Sequence, residues 1–164
     1  SGIKAVQKII TELNQAFTIV SGLANGIDTA SHLSAIKTKT PTIAVIGTGL
    51  DIFYPLENRK IQEYLAKNQL VLSEYSLGEK PLKYHFPERN RIIAGLSRGV
   101  VVVEAKLRSG SLITCERALE EGRDIFAIPG NIADGTSDGC NHLIQQGAKL
   151  VYQAQDILEE YLYN

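Results

Sequence analysis

Between Lys80 and Arg91, four certain cations (Lys80, Lys83, Arg89 and Arg91) stand among the rings of Tyr84, His85 and Phe86, against a single acid, Glu88. Cations neutralise phosphates and flat rings stack on unpaired bases, so this mixture suits single-stranded nucleic acid. A solvated loop whose rings anchor it to a core has the same composition, and both readings stand at this point. A second group of candidates is built on glycine: Ser21-Gly22-Leu23-Ala24-Asn25-Gly26, Gly47-Thr48-Gly49, Ser109-Gly110-Ser111 and the stretch Pro129 to Gly139. Glycine lets backbone N–H groups approach an anion, and a following helix N-terminus adds positive partial charge. Turn geometry alone also calls for glycine. No complete nucleotide fingerprint is present. Leu50-Asp51-Ile52 replaces the third-glycine region after Gly47-Thr48-Gly49, and no lysine follows a glycine loop in the phosphate-binding pattern.

Other residues could do chemistry with fewer companions. Asp28, Asp51 and Glu104 fall at expected strand ends, where an acid binds ribose, a metal or an arginine, or simply caps a helix. His32 lies on an expected helix and reads as a surface or satisfied histidine. His142 is two residues from Cys140 but lacks the remaining ligands of a metal site, and Cys115 reads as a small buried residue. Arg98, Lys106 and Arg108 would widen the basic patch if the fold brought them near. No nucleophile, base and acid stand together. The expectation is therefore no cofactor, no metal and no catalytic group.

These residues need a frame, and the hydrophobic pattern supplies one. Ile3, Val6, Ile10 and Leu13 recur at helical spacing. Further helices are expected over 27–37 (with Ala30, Leu33 and Ala35 or Ile36 inward), 57–67 (with Ile61, Tyr64 and Leu65 inward), 88–96, 111–121, 141–146 and 156–162. The 88–96 helix is expected to be opened by Pro87. Short apolar runs at 17–20, 42–46, 70–73, 100–103, 125–128 and 150–151 read as strands. The four consecutive valines at 100–103 suggest a strand buried on both faces. Apolar strands alternating with helices imply an α/β fold: a doubly wound, mostly parallel sheet with helices on both faces, Rossmann-like. Ligands of such sheets bind outside the carboxyl ends of the strands, where all the glycine turns above fall. The chain opens on a helix where such folds open on a strand, so a first strand is expected upstream of Ser1.

Length and composition narrow the classes. The chain has 164 residues, 44% hydrophobic and 21% charged, with 17 Lys and Arg against 18 Asp and Glu. A single domain over 1–164 is expected. The balance excludes an overall polybasic protein but not a local basic patch. Two cysteines cannot build a disulfide framework, which points to a reducing cytoplasm. No apolar run reaches the ~18 residues of a membrane span and no signal-peptide pattern opens the chain, so no membrane partner is expected.

Several blocks resemble the DprA/Smf family (DNA-processing protein A). They are Ser21-Gly22-Leu23-Ala24-Asn25-Gly26-Ile27-Asp28; Gly49-Leu50-Asp51 with Tyr54-Pro55 and Asn58; and the long run Phe86-Pro87-Glu88-Arg89-Asn90-Arg91-Ile92-Ile93-Ala94-Gly95-Leu96-Ser97. Glu104-Ala105, Ser109-Gly110-Ser111-Leu112-Ile113-Thr114, Pro129-Gly130 and Gly139-x-Asn141-x-Leu143-Ile144 with Gly147-Ala148 continue it in order. The resemblance implies a cytoplasmic, dimeric, non-enzymatic protein of natural transformation. Such a protein binds incoming single-stranded DNA, protects it and loads the RecA recombinase. It places DNA contacts at Lys83, Arg89, Asn90, Arg91 and Ser109-Gly110-Ser111, to which the glycine-turn residues Ser21, Gly22, Gly26, Gly47 and Gly49 are added as amide donors. It places recombinase contact at Glu116, Leu119 and Asp124, and self-association at Asn141, Ile144 and Leu150. The family's Gly-Ser-Arg turn, whose arginine contacts DNA, and its flanking domains are not in this sequence. Two other classes remain open. Pro129-Gly130 followed by Gly135-Thr136 is faintly similar to the Pro-Gly-Gly-x-Gly-Thr loop of nucleotide-cleaving phosphoribohydrolases, and the basic loop would also suit a module that docks an acidic protein.

Overall fold

The structure, a computed structural model, describes residues 1–162. Along the chain come α1 (Gly2–Leu13), β1 (Ile19–Ser21), α2 (Ile27–Lys37), β2 (Thr42–Val45), a 3-10 turn (Leu56–Asn58), α3 (Arg59–Asn68) and β3 (Leu70–Leu72). After them come α4 (His85–Leu96), β4 (Gly99–Val102), α5 (Gly110–Glu120), β5 (Asp124–Ala127), α6 (Asp138–Gln145), β6 (Lys149–Leu150) and α7 (Gln155–Leu162). The strands form two parallel three-stranded sheets, β1-β2-β3 and β4-β5-β6. Within the first, Val20 is level with Ile43; within the second, Val101 is level with Phe126.

Helices cover both faces because the strand side chains alternate. Ile125 and Ala127 of β5 pack with Ala94, Cys115, Ala118 and Cys140 from α4, α5 and α6. Phe126, between them, points the other way, into Ile9 and Leu13 of α1 and Ile157 of α7. The two sheets share an apolar layer in which Val6 and Ile10 of α1 meet Ala30, Val103, Ile19 and Val101. This is the doubly wound, Rossmann-like α/β arrangement that the alternation predicts. Helix α4 starts beside the carboxyl ends of β1 and β2 and runs back, so β4 begins at the opposite edge. The loops after β1, β2 and β4 therefore emerge on one side.

Some local expectations shift. Helix α4 starts at His85, three residues early, because Pro87 sits within its first turn, where a missing N–H leaves no bond unmade. The helix expected over 57–67 is a 3-10 turn followed by α3. Tyr64 on it is exposed, and Gln62 is buried instead, donating from Nε2 to the Ile52 carbonyl at 3.1 Å. Leu33 of α2 is exposed; that helix buries small and polar residues, Ala30, Ser31, His32, Ser34 and Ala35. Val100 and Val101 are only half-buried, since β4 has a sheet partner on one side alone.

Candidate functional site at the carboxyl ends of the strands

Arg89 organises this edge. Its Nη1 donates to the carbonyls of Gly22, just after β1, at 2.7 Å, and of Val45, the last residue of β2, at 2.6 Å. Its Nε donates to the Asn90 side-chain oxygen at 3.0 Å. The guanidinium is buried, which lowers its pKa, while the nearby Asp28 carboxylate raises it. Arg89 is thus a bolt between two strands and α4, and Asn90 orients it. The expected phosphate-facing role passes to its surroundings, because carbonyls already occupy its Nη1.

The same contact explains Gly22. A Cβ there would stand 2.7 Å from Cζ and Nη1 of Arg89. Arg89 cannot retreat without losing its carbonyl partners, so Gly22→Ala is expected to lower the unfolding free energy by about 1–3 kcal/mol. A urea titration checks this, and an unchanged midpoint would refute the tight fit. Gly49 is held by backbone rather than by a side chain. A Cβ there would lie 2.4 Å from the Ser76 carbonyl oxygen, and its N–H already donates to the Glu79 carbonyl at 2.9 Å.

The segment 75–85 is pinned down by His85, which is buried rather than a surface ring. Its Nδ1 bonds the Gly47 carbonyl at 2.9 Å, and that carbonyl can only accept, so Nδ1 carries the proton. Nε2 faces Glu79 at 3.4 Å, and the ring stacks on Tyr75 with centroids 3.9 Å apart. Burial raises the Tyr75 pKa above its ordinary value, and the bond its hydroxyl donates to Glu88 raises it further. Asp51 accepts from the Gly78 N–H at 2.7 Å and closes the loop.

With that segment fixed, Lys83 stands exposed in front of α4, and Tyr84 is exposed beside it. Arg91 is exposed but ion-paired with Glu74. Phe86 is half-buried, with the Arg89 guanidinium carbon 5.5 Å and the Tyr54 ring centroid 5.6 Å from its ring centre. Tyr54 joins this edge through Phe86; its only signal in the sequence is the Tyr-Pro pair after Gly49-Leu50-Asp51.

The remaining candidates divide. Ser21, Gly22, Gly47 and Gly49 are buried under the edge, and Gly26 is exposed at the start of α2 with φ 88°. Ser109 precedes α5, its Oγ buried and without a hydrogen-bond partner among the described residues, with Gly110 and Ser111 exposed in the first turn. Lys106 and Arg108 are exposed in the same loop. Arg98 lies at the far end, over the Tyr161 ring at 4.6 Å, and does not widen the patch. The three acids serve the frame. Asp28 accepts from the Ala24 N–H at 3.2 Å, Asp51 holds Gly78, and Glu104 accepts from the N–H of Gly2 at 2.8 Å, filling the N-terminus of α1.

At the opposite end of the strands, Leu119 is exposed. It lines a groove of about 310 Å³ with Arg123, Asp124, Leu143, Ala148 and Lys149. Asp124 also accepts from the Tyr161 hydroxyl at 2.8 Å, and Glu116 is exposed on α5. Leu150 is exposed and Ile144 half-buried against the core. Asn141 faces inward, exchanging two 3.1 Å bonds with the N–H and carbonyl of Gly130. Cys115 and Cys140 are buried, free thiols with pKa values raised by burial, that of Cys115 to about 11. Among the described residues, no group of three or more His, Cys, Asp or Glu could hold a metal ion, and no helix is long and apolar enough to cross a membrane.

Comparison with known proteins meets this geometry. The family model for DNA recombination-mediator protein A matches residues 1–162. DNA processing protein DprA of Streptococcus pneumoniae is 66% identical over 160 residues, covering 98% of this chain and 57% of the relative. The X-ray structure of the S. pneumoniae protein superposes with TM-score 0.96 at 64% identity, over 99% of this chain and 58% of that one. DNA processing protein A of Helicobacter pylori, whose structure is described for its single-stranded DNA binding mode, superposes with TM-score 0.86 at 32% identity, over 99% of this chain and 74% of that one. The chain thus spans little more than half the length of its S. pneumoniae relative. An α/β frame bolted by the arginine of the Phe86–Ser97 block, matched end to end by that model and these structures, makes this chain a member of the DNA recombination-mediator protein A family, the DprA/Smf proteins.

Proposed function

We propose that the carboxyl edge of the strands binds single-stranded DNA, and that residues 1–164 act as one recombination-mediating unit without catalysing a reaction. The carrying observation is the way Arg89 and His85 clamp the 75–91 segment to the ends of β1 and β2, leaving Lys83 exposed beside Phe86 and Tyr84. A cation on a pinned backbone, next to packed rings, meets a phosphate and an unpaired base at once. The described binding mode of the H. pylori relative supports the same ligand. Gly110 and Ser111 offer first-turn amides at the start of α5, with Lys106 and Arg108 beside them, whereas the Ser109 N–H is donated to the Lys106 carbonyl at 3.1 Å. Arg91 joins only when it leaves Glu74.

Within this reading the protein shields incoming DNA in the cytoplasm during natural transformation and hands it to RecA. The recombinase meets Glu116, Leu119 and Asp124, and a second copy of the chain meets Ile144 and Leu150. The phosphoribohydrolase alternative gains nothing from the fold: the Gly130 N–H, which such a loop would offer to an anion, is donated to Asn141.

Fluorescence anisotropy with a labelled oligo-dT, at several salt concentrations and against a duplex of equal length, tests the assignment. Lys83→Glu is expected to weaken single-strand binding about tenfold and to reduce the slope of log K against log salt by about 0.7, the share of one phosphate. Equal affinity of wild type and variant at every salt concentration would refute it.

A further inference from the structure

Cations account for phosphate binding, but a single strand also exposes base faces that a duplex hides. A receptor for such a face needs a flat ring, held still, with one side open to water. Tyr54 offers such a ring, packed against Phe86 yet half-exposed. It is 48% exposed, and its ring centroid lies 5.6 Å from that of Phe86 with planes 34° apart. Phe86 packs closely over Gly47: its ring edge lies 3.1 Å from where a Cβ there would stand, so only glycine leaves room for it. Behind it sits Arg89, fixed to Gly22 and Val45. The three side chains form a ledge that runs from a buried guanidinium through a half-buried ring to an exposed one. The neighbouring Phe53 differs: it is half-buried and its face is covered by Arg59 at 4.8 Å. Among the described residues, no hydrogen bond engages the Tyr54 hydroxyl, so no polar contact there explains why a large ring stands at this edge.

We infer that Tyr54 is a base-stacking residue, whose open face receives one unpaired nucleobase of a strand whose phosphate lies at Lys83. This deepens the single-strand reading above and rests on it. Every base has a π face, so the contact is tolerant of sequence, and it forms without releasing counterions. Its signature therefore differs from that of a cation.

The test uses the 164-residue chain and oligo-dT. Tyr54→Ala is expected to bind roughly ten- to a hundredfold more weakly, with the salt slope unchanged. Tyr54→Phe, which keeps the ring, is expected to recover the affinity that alanine loses. The chain contains no tryptophan, so Tyr54→Trp installs a single indole, and its emission is expected to be quenched as oligo-dT saturates it. Should the alanine variant fail to fold, judged by circular dichroism, the phenylalanine affinity and the indole quenching decide. Wild-type affinity in a folded Tyr54→Ala, a reduced salt slope in it, or an unquenched indole on a bound strand overturns the stacking role while leaving Lys83 and the single-strand reading in place. Absence of oligo-dT binding by the wild-type chain overturns both.

Discussion

Replacing Arg89 by alanine is expected to lower the unfolding free energy by about 3–5 kcal/mol and the melting temperature by roughly 10–15 °C. The reason is the geometry of one guanidinium. Arg89 donates to two buried carbonyls, those of Gly22 and Val45, and its stem fills the space between α4 and the strand ends. Each charge-assisted bond contributes about 1.5–3 kcal/mol, and truncation leaves both carbonyls without a donor in a place water does not reach. Arg89→Lys is expected to fall between wild type and alanine, since one ammonium lacks the planar fork that spans both acceptors. Urea unfolding followed by circular dichroism measures all three proteins. An Arg89→Ala chain as stable as wild type would show that the bolt carries no load. Because the same residue backs Phe86 and Gly22, DNA affinity is expected to fall with stability, whereas Lys83→Glu lowers affinity alone.

A second large effect belongs to acid. His32 is fully buried, with Nδ1 at 2.8 Å from Thr42 Oγ1. The Thr42 hydroxyl donates to the Ile19 carbonyl, so it accepts from His32, and the imidazole proton sits on Nδ1. Nε2 has no partner. Burial lowers the pKa from 6.5 to about 4, outweighing the Asp28 carboxylate and the Ser21 carbonyl, which both raise it. The folded chain therefore keeps His32 neutral where the unfolded chain protonates it. The stability due to this difference is fully present above pH 6.5 and is lost progressively as the pH falls towards about 4. The full loss is on the order of 3 kcal/mol, at about 1.4 kcal/mol per unit of pKa difference. His32→Asn keeps a donor near Thr42 and does not titrate, so its unfolding free energy is expected to change less over this window. Urea midpoints at pH 7.5, 5.5 and 4.5 compare the two chains; parallel declines would remove His32 as the cause.

The order of strands and helices was legible before any coordinates, because it rests on local periodicity and on turn residues that act within a few positions. Where boundaries moved, a local rule met a tertiary one. The valines of β4 read as doubly buried, yet sheet pairing on one side leaves two of them partly open. Helix α2 carries no clean apolar stripe, so Leu33 gave no warning that it points outward while His32 points in. The basic segment was visible as composition, and the family blocks marked Arg89, Asn90 and Arg91 as a unit.

What composition does not carry is which charges are already occupied. Lys83, Arg89 and Arg91 look alike in the chain. In the fold one is exposed, one is bonded to the ends of two strands, and one is paired with Glu74, contributed by a loop seventeen residues away. Likewise Tyr54 and Phe86 are thirty-two positions apart and meet only because two loops leave the sheet on the same side. Sequence alone determined the layering of this protein, since backbone bonding and apolar spacing are short-range properties. Tertiary structure alone decided which of its polar groups face outward, since a cation or an amide is available to a ligand only when no carboxylate, carbonyl or ring from a distant segment has reached it first.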